Sequence, residues 1–113
     1  MLPDAGDVAW VYLDQTEGTE QSGRRPGLVL SNRAYHERSR RALVCPISKR
    51  IAPWFFNVPL AEGMITQGTV LVDQLRSIDR ESRMFQVIER APDSVVAEVL
   101  AKLSVLIGIE PAS

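Results

Sequence analysis

Apolar residues come in short runs along most of the chain, and only near its end does their spacing change to that of a helix. VAWVYL (8–13), rich in Val and aromatic residues, predicts a first strand. GLVLS (27–31), ALVCPIS (42–48), FFNVPL (55–60) and TVLVDQL (69–75) predict four more. RMFQVIE (83–89) predicts a sixth, and Pro59 pushes the fourth towards a sheet edge. Between the strands, DQTEGTEQSGRRP (14–26), SNRAYHERSRR (31–41) and KRIAPW (49–54) read as polar loops, the second with one helical turn. RSIDRES (76–82) reads as a turn. Near the end, Val96, Val99, Leu100, Leu103, Leu106 and Ile107 recur at three- and four-residue steps, which is one face of an amphipathic helix. Pro92 suits its first position, Asp93 the positive end of its dipole, and Gly108 its stop. About six short strands followed by one helix predict a mainly β (α+β) fold, a small barrel or strongly bent sheet carrying a helix.

At 113 residues the chain reads as one domain, 1–113, able to bury a core without disulfides or metal. No apolar run approaches the roughly 18 residues of a membrane span, and MLPDAGD does not read as a signal peptide. Cys45 stands alone, which excludes an internal disulfide and fits a reducing cytoplasm. One His and one Cys cannot build a His/Cys zinc site, and the carboxylates lack metal-ligand spacing. No phosphate-binding glycine loop or dinucleotide fingerprint is present, so no cofactor is expected.

The formal net charge of −1 hides an asymmetry. Residues 1–23 carry five acids and no base, whereas 24–50 carry eight bases against Glu37 alone. That excess suggests an anion site. Arg38, Arg40 and Arg41 could equally be a solvated loop balanced by the acidic N-terminus. Arg24 and Arg25 have less freedom, because Gly23 precedes them and Pro26 follows. An arginine held this way presents a rigid fork to phosphate. Ser48 ends one strand beside Lys49 and Arg50, and Asp73 and Gln74 end another, so several strand ends could meet on one rim. His36, in its charged loop, reads as a surface residue, and Cys45, in an apolar strand, as core rather than nucleophile. Trp10 and Tyr12 read as strand residues packed on the core. Of Trp54, Phe55 and Phe56, two are expected to be core or dimer contacts rather than exposed stacking platforms.

The chain resembles the MazF/PemK/Kid toxins of bacterial toxin–antitoxin systems nearly end to end. The resemblance rests on GDVAWVYLD (6–14), GTEQSGRRPGLVLS (18–31), CPIS (45–48), VLVDQLRSID (70–79) and the helix ending LIG. It implies an SH3-like barrel, a homodimer and a sequence-specific, metal-independent endoribonuclease. It also implies a single-stranded RNA substrate and an antitoxin whose acidic C-terminal tail covers the RNA groove. Carried over by position, Arg25 falls on the catalytic arginine and Ser48 on the catalytic hydroxyl. Glu20 is a candidate for catalysis or substrate positioning. Gln21, Arg24, Lys49, Gln74 and Ser77 are candidates for RNA binding. Arg24 stands where some members have His, so a base role considered for that His does not carry over. Ser48 replaces a more frequent Thr and loses its stiffening methyl.

RNA supplies its own nucleophile, the 2′-hydroxyl. The expected products are therefore a 2′,3′-cyclic phosphate and a 5′-hydroxyl. Two other functions fit a related barrel: a CcdB-like, non-enzymatic gyrase poison, and an SH3-like RNA-binding module that does not cleave. Arg25 and Ser48 at the matching positions favour the ribonuclease.

Overall fold

The computed structural model describes residues 1–13, 23–50 and 52–109. Seven strands form within them: β1 (Asp7–Tyr12), β2 (Arg24–Val29), β3 (Arg41–Ser48), β4 (Asn57–Pro59), β5 (Thr69–Leu71), β6 (Arg76–Asp79) and β7 (Met84–Arg90). The helices are α1 (Arg33–His36), α2 (Arg80–Arg83) and α3 (Asp93–Leu106). One antiparallel sheet runs β4-β5-β3-β2-β1-β7, with β6 also paired to β3. The strands at its two ends, β4 and β7, do not pair with each other, so the sheet is bent and barrel-like but not closed. Pro59 lies in terminal β4, where a missing donor breaks no inner ladder. Among the described residues no helix is long and apolar enough to cross a membrane.

β3 organises the sheet because it has different neighbours along its length. Val44 to Pro46 pair with β2, Arg41 to Val44 with β6, and Ile47 and Ser48 with β5. The run 69–75, expected as one strand, divides accordingly. After Leu71 it makes a 3-10 turn, Val72–Gln74, and the chain then pairs again as β6. RSID is thus a seventh strand rather than a turn. Its short polar pattern carries only one buried apolar residue, Ile78, and so gives little strand signal.

Period-two alternation fills both faces of the sheet. Val8, Leu28, Cys45, Ile47, Val58, Val70 and Val72 form one cluster, closed by Val95 and Val99 of α3. Ala9, Val11, Leu13, Val29, Ala42, Val44 and Ile78 form the other. Burying a Val or Leu fully stabilises by about 1.5–3 kcal/mol. Cys45 is buried as expected; desolvation first, and the Asp73 carboxylate second, push its thiol up to about 12.

α3 forms where its periodicity predicts and stops at Gly108, whose φ of 84° suits glycine. Pro92 caps it from one position earlier than expected. Its inward stripe also differs: Val95 and Val99 are buried and Val96 and Leu103 pack beside them, while Leu100, Leu106 and Ile107 are exposed.

His36 is buried, against the sequence expectation. Asn32 caps α1 by accepting from the Tyr35 N–H, and this single helical turn brings the imidazole inward. Nδ1 donates to the Pro3 carbonyl at 2.8 Å, and Nε2 pairs with the Ser31 hydroxyl at 2.7 Å. Ser31 Oγ also accepts from the Leu43 N–H, so one histidine ties the N-terminal segment to β3.

Candidate active site

The open ends of two adjacent strands supply the polar groups of a cleft of about 650 Å³. Arg24 and Arg25 occupy the first two positions of β2, and Ser48 closes β3 with Lys49 just beyond. All four line the cleft, together with Pro26 and Ile47. Trp10 of β1 and Ile88 of β7 contribute apolar surface, and Ile65, Thr66 and Gln67 form another wall. The Arg24 guanidinium lies 4.9 Å from the centre of the Trp10 ring, a cation–π contact that orients its charge. Trp10 is therefore half-buried cleft surface as well as strand packing.

Ser48 is held from two sides. Its Oγ accepts from the Arg50 N–H at 3.1 Å, which leaves the hydroxyl proton to be donated elsewhere. Gly68, with φ 130°, presses against its backbone: a Cβ there would stand 2.3 Å from the Ser48 carbonyl oxygen. Only glycine permits that approach and that φ together.

Arg24, Arg25, Ser48 and Lys49 thus share one site, as the sequence suggested. Gln74 and Ser77 do not reach it. Gln74 is exposed in the 3-10 turn and is not among the residues that line the cleft. Ser77 pairs with Leu43, five residues up β3 from Ser48, which at the usual rise is about 16 Å away. It lines a second depression of about 240 Å³ with Tyr12, Arg41, Arg76 and Arg83, and Arg41 donates to both its Oγ and its carbonyl. The cause is the antiparallel pairing: Thr69 lies opposite Ser48, and from there the chain runs back along β3, away from the cleft. Glu20 and Gln21 lie outside the described residues.

Two of the eight basic residues in 24–50, Arg33 and Arg40, are paired with carboxylates. Arg40 binds Asp79 at 2.9 Å and Glu81 at 3.4 Å, and Arg33 pairs with Asp4 at 3.7 Å. The Arg40 hydrogen bond is the main reason that the Asp79 carboxyl lies below its ordinary value. The Arg33 N–H does the same for Asp4. Trp54 and Phe55 are exposed, but away from the cleft: Trp54 Nε1 donates to Asp73 at 2.9 Å and Phe55 sits under Lys102 of α3. Phe56 packs on the core.

Sequence reasoning did not single out Ile65, Thr66, Gln67, Ile88 or Glu89. The first three follow the turn signal AEG and look like ordinary loop residues, and no local pattern marks them. Among the described residues, no three His, Cys, Asp or Glu side chains gather where they could hold a metal ion. The site is instead a cationic, hydroxyl-bearing cleft with apolar patches, suited to holding a phosphodiester and an adjacent ring.

A small antiparallel barrel-like sheet with such a cleft at its strand ends is the class of protein that fold and site define. The chain belongs to the family of PemK-like, MazF-like toxins of type II toxin–antitoxin systems, whose model matches residues 4–107. It is 35% identical over 107 residues to the endoribonuclease toxin MazF of Escherichia coli K12, covering 95% of this chain and 96% of that protein. A crystal structure of MazF from Deinococcus radiodurans superposes with a TM-score of 0.86 at 40% identity, covering 96% of this chain and 98% of that one. A MazE–MazF structure from the same organism gives a TM-score of 0.83 at 37% identity, with 97% and 99% covered.

Proposed function

We propose that this chain is, as a single toxin domain, a sequence-specific endoribonuclease that cuts single-stranded RNA without a metal ion. The observation that carries the reading is the convergence of Arg24, Arg25, Ser48 and Lys49 on one cleft, in a chain whose relatives are named endoribonucleases. The RNA 2′-hydroxyl attacks the adjacent phosphorus. The 5′-oxygen leaves, giving a 2′,3′-cyclic phosphate and a 5′-hydroxyl. Arg25 bears the charge that builds on the non-bridging oxygens and assists the leaving oxygen. Ser48 donates its hydroxyl proton to the same phosphate; losing such a donor typically lowers the rate by about 10²–10³. Arg24, fixed over Trp10, and Lys49 hold the flanking backbone. Arginine is too weak a base to take the 2′-hydroxyl proton, so that role falls to another group, for which Glu20 is the candidate.

The cognate antitoxin binds the same cleft through an acidic tail, and MazE in the solved MazE–MazF complex is the precedent for such a partner. The chain works in the cytoplasm as a homodimer. The apolar side chains that would be covered are Leu100, Val105 and Leu106 of α3, Ile107 and Ile109 beyond it, and Phe55. Incubation of the protein with a long single-stranded RNA in EDTA, with the new ends chemically mapped, tests the reading. Discrete cuts ending in cyclic phosphate are expected. Loss of cutting in chelator, restored by magnesium, would overturn it.

A further inference from the structure

The two walls of the cleft differ in charge. Arg24, Arg25, Ser48 and Lys49 stand on one, whereas the other is the uncharged triplet Ile65, Thr66 and Gln67. Cationic groups hold phosphates, while apolar and amide groups meet base edges. Ile65 is 74% exposed and lines the cleft, where a flat ring could lie against it. The Gln67 amide nitrogen donates to the Met64 carbonyl at 2.9 Å, which fixes how the carboxamide faces.

Met64 anchors this wall in the core, and Thr66 is buried beside it. Gly63 and Gly68, both at positive φ, flank it. It is fastened across to the sheet by Glu89 of β7. Glu89 Oε1 accepts from the Ile65 N–H at 3.0 Å and Oε2 from the Thr66 N–H at 2.6 Å. The side chain can reach because β7 is irregular there: Val8 pairs with Glu89 but Ala9 with Val87, so Ile88 is an extra residue. Such bulges re-aim side chains. Here Ile88 lines the cleft while its neighbour Glu89 grips the wall. Desolvation raises the Glu89 carboxyl, but hydrogen bonding at Thr66 and Ile65 outweighs it and holds it below its ordinary value, so the gripping charge persists at neutral pH.

We propose that Glu89 is a positioning residue for RNA specificity: by clamping the Ile65 and Thr66 amides it sets the uncharged wall against which the base beside the scissile phosphate is selected. The proposal rests on the endoribonuclease reading.

The test uses Glu89→Gln, Glu89→Asp and, as control, Glu62→Gln, which removes an exposed carboxylate from the same connection. Amide hydrogen exchange at Ile65 and Thr66 reads the clamp without RNA. KM and kcat are then measured on an oligoribonucleotide spanning a mapped cut and on its single-base variants. Losing a charged acceptor should speed exchange at both amides, raise KM on the best oligonucleotide about tenfold and narrow the gap between it and its variants, with kcat little changed. Glu89→Asp, which keeps both oxygens, should recover part of each effect, and Glu62→Gln should match wild type. Unchanged exchange in a folded Glu89→Gln would overturn the clamp. Faster exchange with unchanged sequence ranking, or a uniform fall in kcat on every oligonucleotide, would overturn the wall's role in selection. A wild-type protein that cuts no RNA would instead overturn the endoribonuclease reading, with the exchange arm still reporting on the clamp.

Discussion

Gly68 offers a direct test of whether the placement of Ser48 matters. A Cβ at this position would lie 2.3 Å from the Ser48 carbonyl oxygen, 3.0 Å from its carbonyl carbon and 3.3 Å from Ile47 Cγ2. Ordinary carbon–oxygen contact is nearly an ångström longer than the first of these. The obstacle is backbone, so no rotamer change relieves it. Gly68→Ala must therefore push the end of β3 away from the 60–68 connection, and it must also hold an alanine at φ 130°. Backbone strain of about 1–3 kcal/mol and overpacking of about 1–3 kcal/mol apply together. Against a typical stability of about 5–15 kcal/mol, the variant should fold at reduced temperature with a Tm lower by roughly 10 °C or more. The larger effect should be on the reaction, because displacing a reacting group by about 1 Å can lower the rate by about 10². Gly63→Ala is the control. It too has positive φ, at 89°, but nothing lies within 4 Å of the added carbon, so it should show strain without loss of cutting. The assay is single-turnover RNA cleavage at a temperature where circular dichroism shows both variants folded. If Gly68→Ala cuts at nearly the wild-type rate, Ser48 either does not move or does not matter, and the argument fails.

Other outcomes follow from the same structure. Arg25→Ala and Ser48→Ala should each lower cleavage by at least about 10² while leaving thermal unfolding nearly unchanged, as measured on one RNA at saturating concentration. His36→Leu should leave the Pro3 carbonyl and the Ser31 hydroxyl without their partner and lower the Tm by several degrees, with little change in cleavage by the folded protein. Asp4, Asp79 and Glu89 have carboxyls below their ordinary values of 3.8, 3.8 and 4.5, so the unfolded chain binds more protons in acid. Their stabilisation is complete above those ordinary values and is lost as the pH falls through the lower folded ones; a pH series of melting curves should show this, and Asp79→Asn should flatten the low-pH limb.

How far the sequence foretold this arrangement depended on how local each signal was. Val8 to Leu13, Leu28 to Leu30 and Ala42 to Ile47 carry dense apolar runs, and each lies on or beside an observed strand. The clustering of Arg24, Arg25, Ser48 and Lys49 was also legible, because strand-end residues next to basic loops need only adjacent strands to meet. What escaped was set by distant partners. The break at Leu71 follows from β3 offering one partner to β5 and another to β6, and no residue in 69–75 encodes that. Gln74 and Ser77 lie further along that antiparallel path, away from Ser48. His36 is buried because Pro3, 33 positions earlier, lies above it. The uncharged wall depends on Glu89, more than 20 residues further on, and a lone glutamate in a strand carries no mark of such a role.

The charge pattern illustrates the same point more sharply. Eight basic residues between positions 24 and 50 suggested a broad anion-attracting surface. The fold divides them. Arg33 and Arg40 face carboxylates, which offset their charge, whereas Arg41 is held by the neutral Ser77 and keeps its own. Arg24, Arg25 and Lys49 line the cleft together. A polyanion that enters the cleft meets these three residues together. Charge reversal at Arg40 should leave the salt dependence of RNA binding nearly as it is, and reversal at Lys49 should reduce it, because only a charge that meets a phosphate releases a counterion. Fluorescence titration of a non-cleavable RNA at several salt concentrations separates the two. Equal slopes for the two variants would mean that the basic stretch acts as one surface after all.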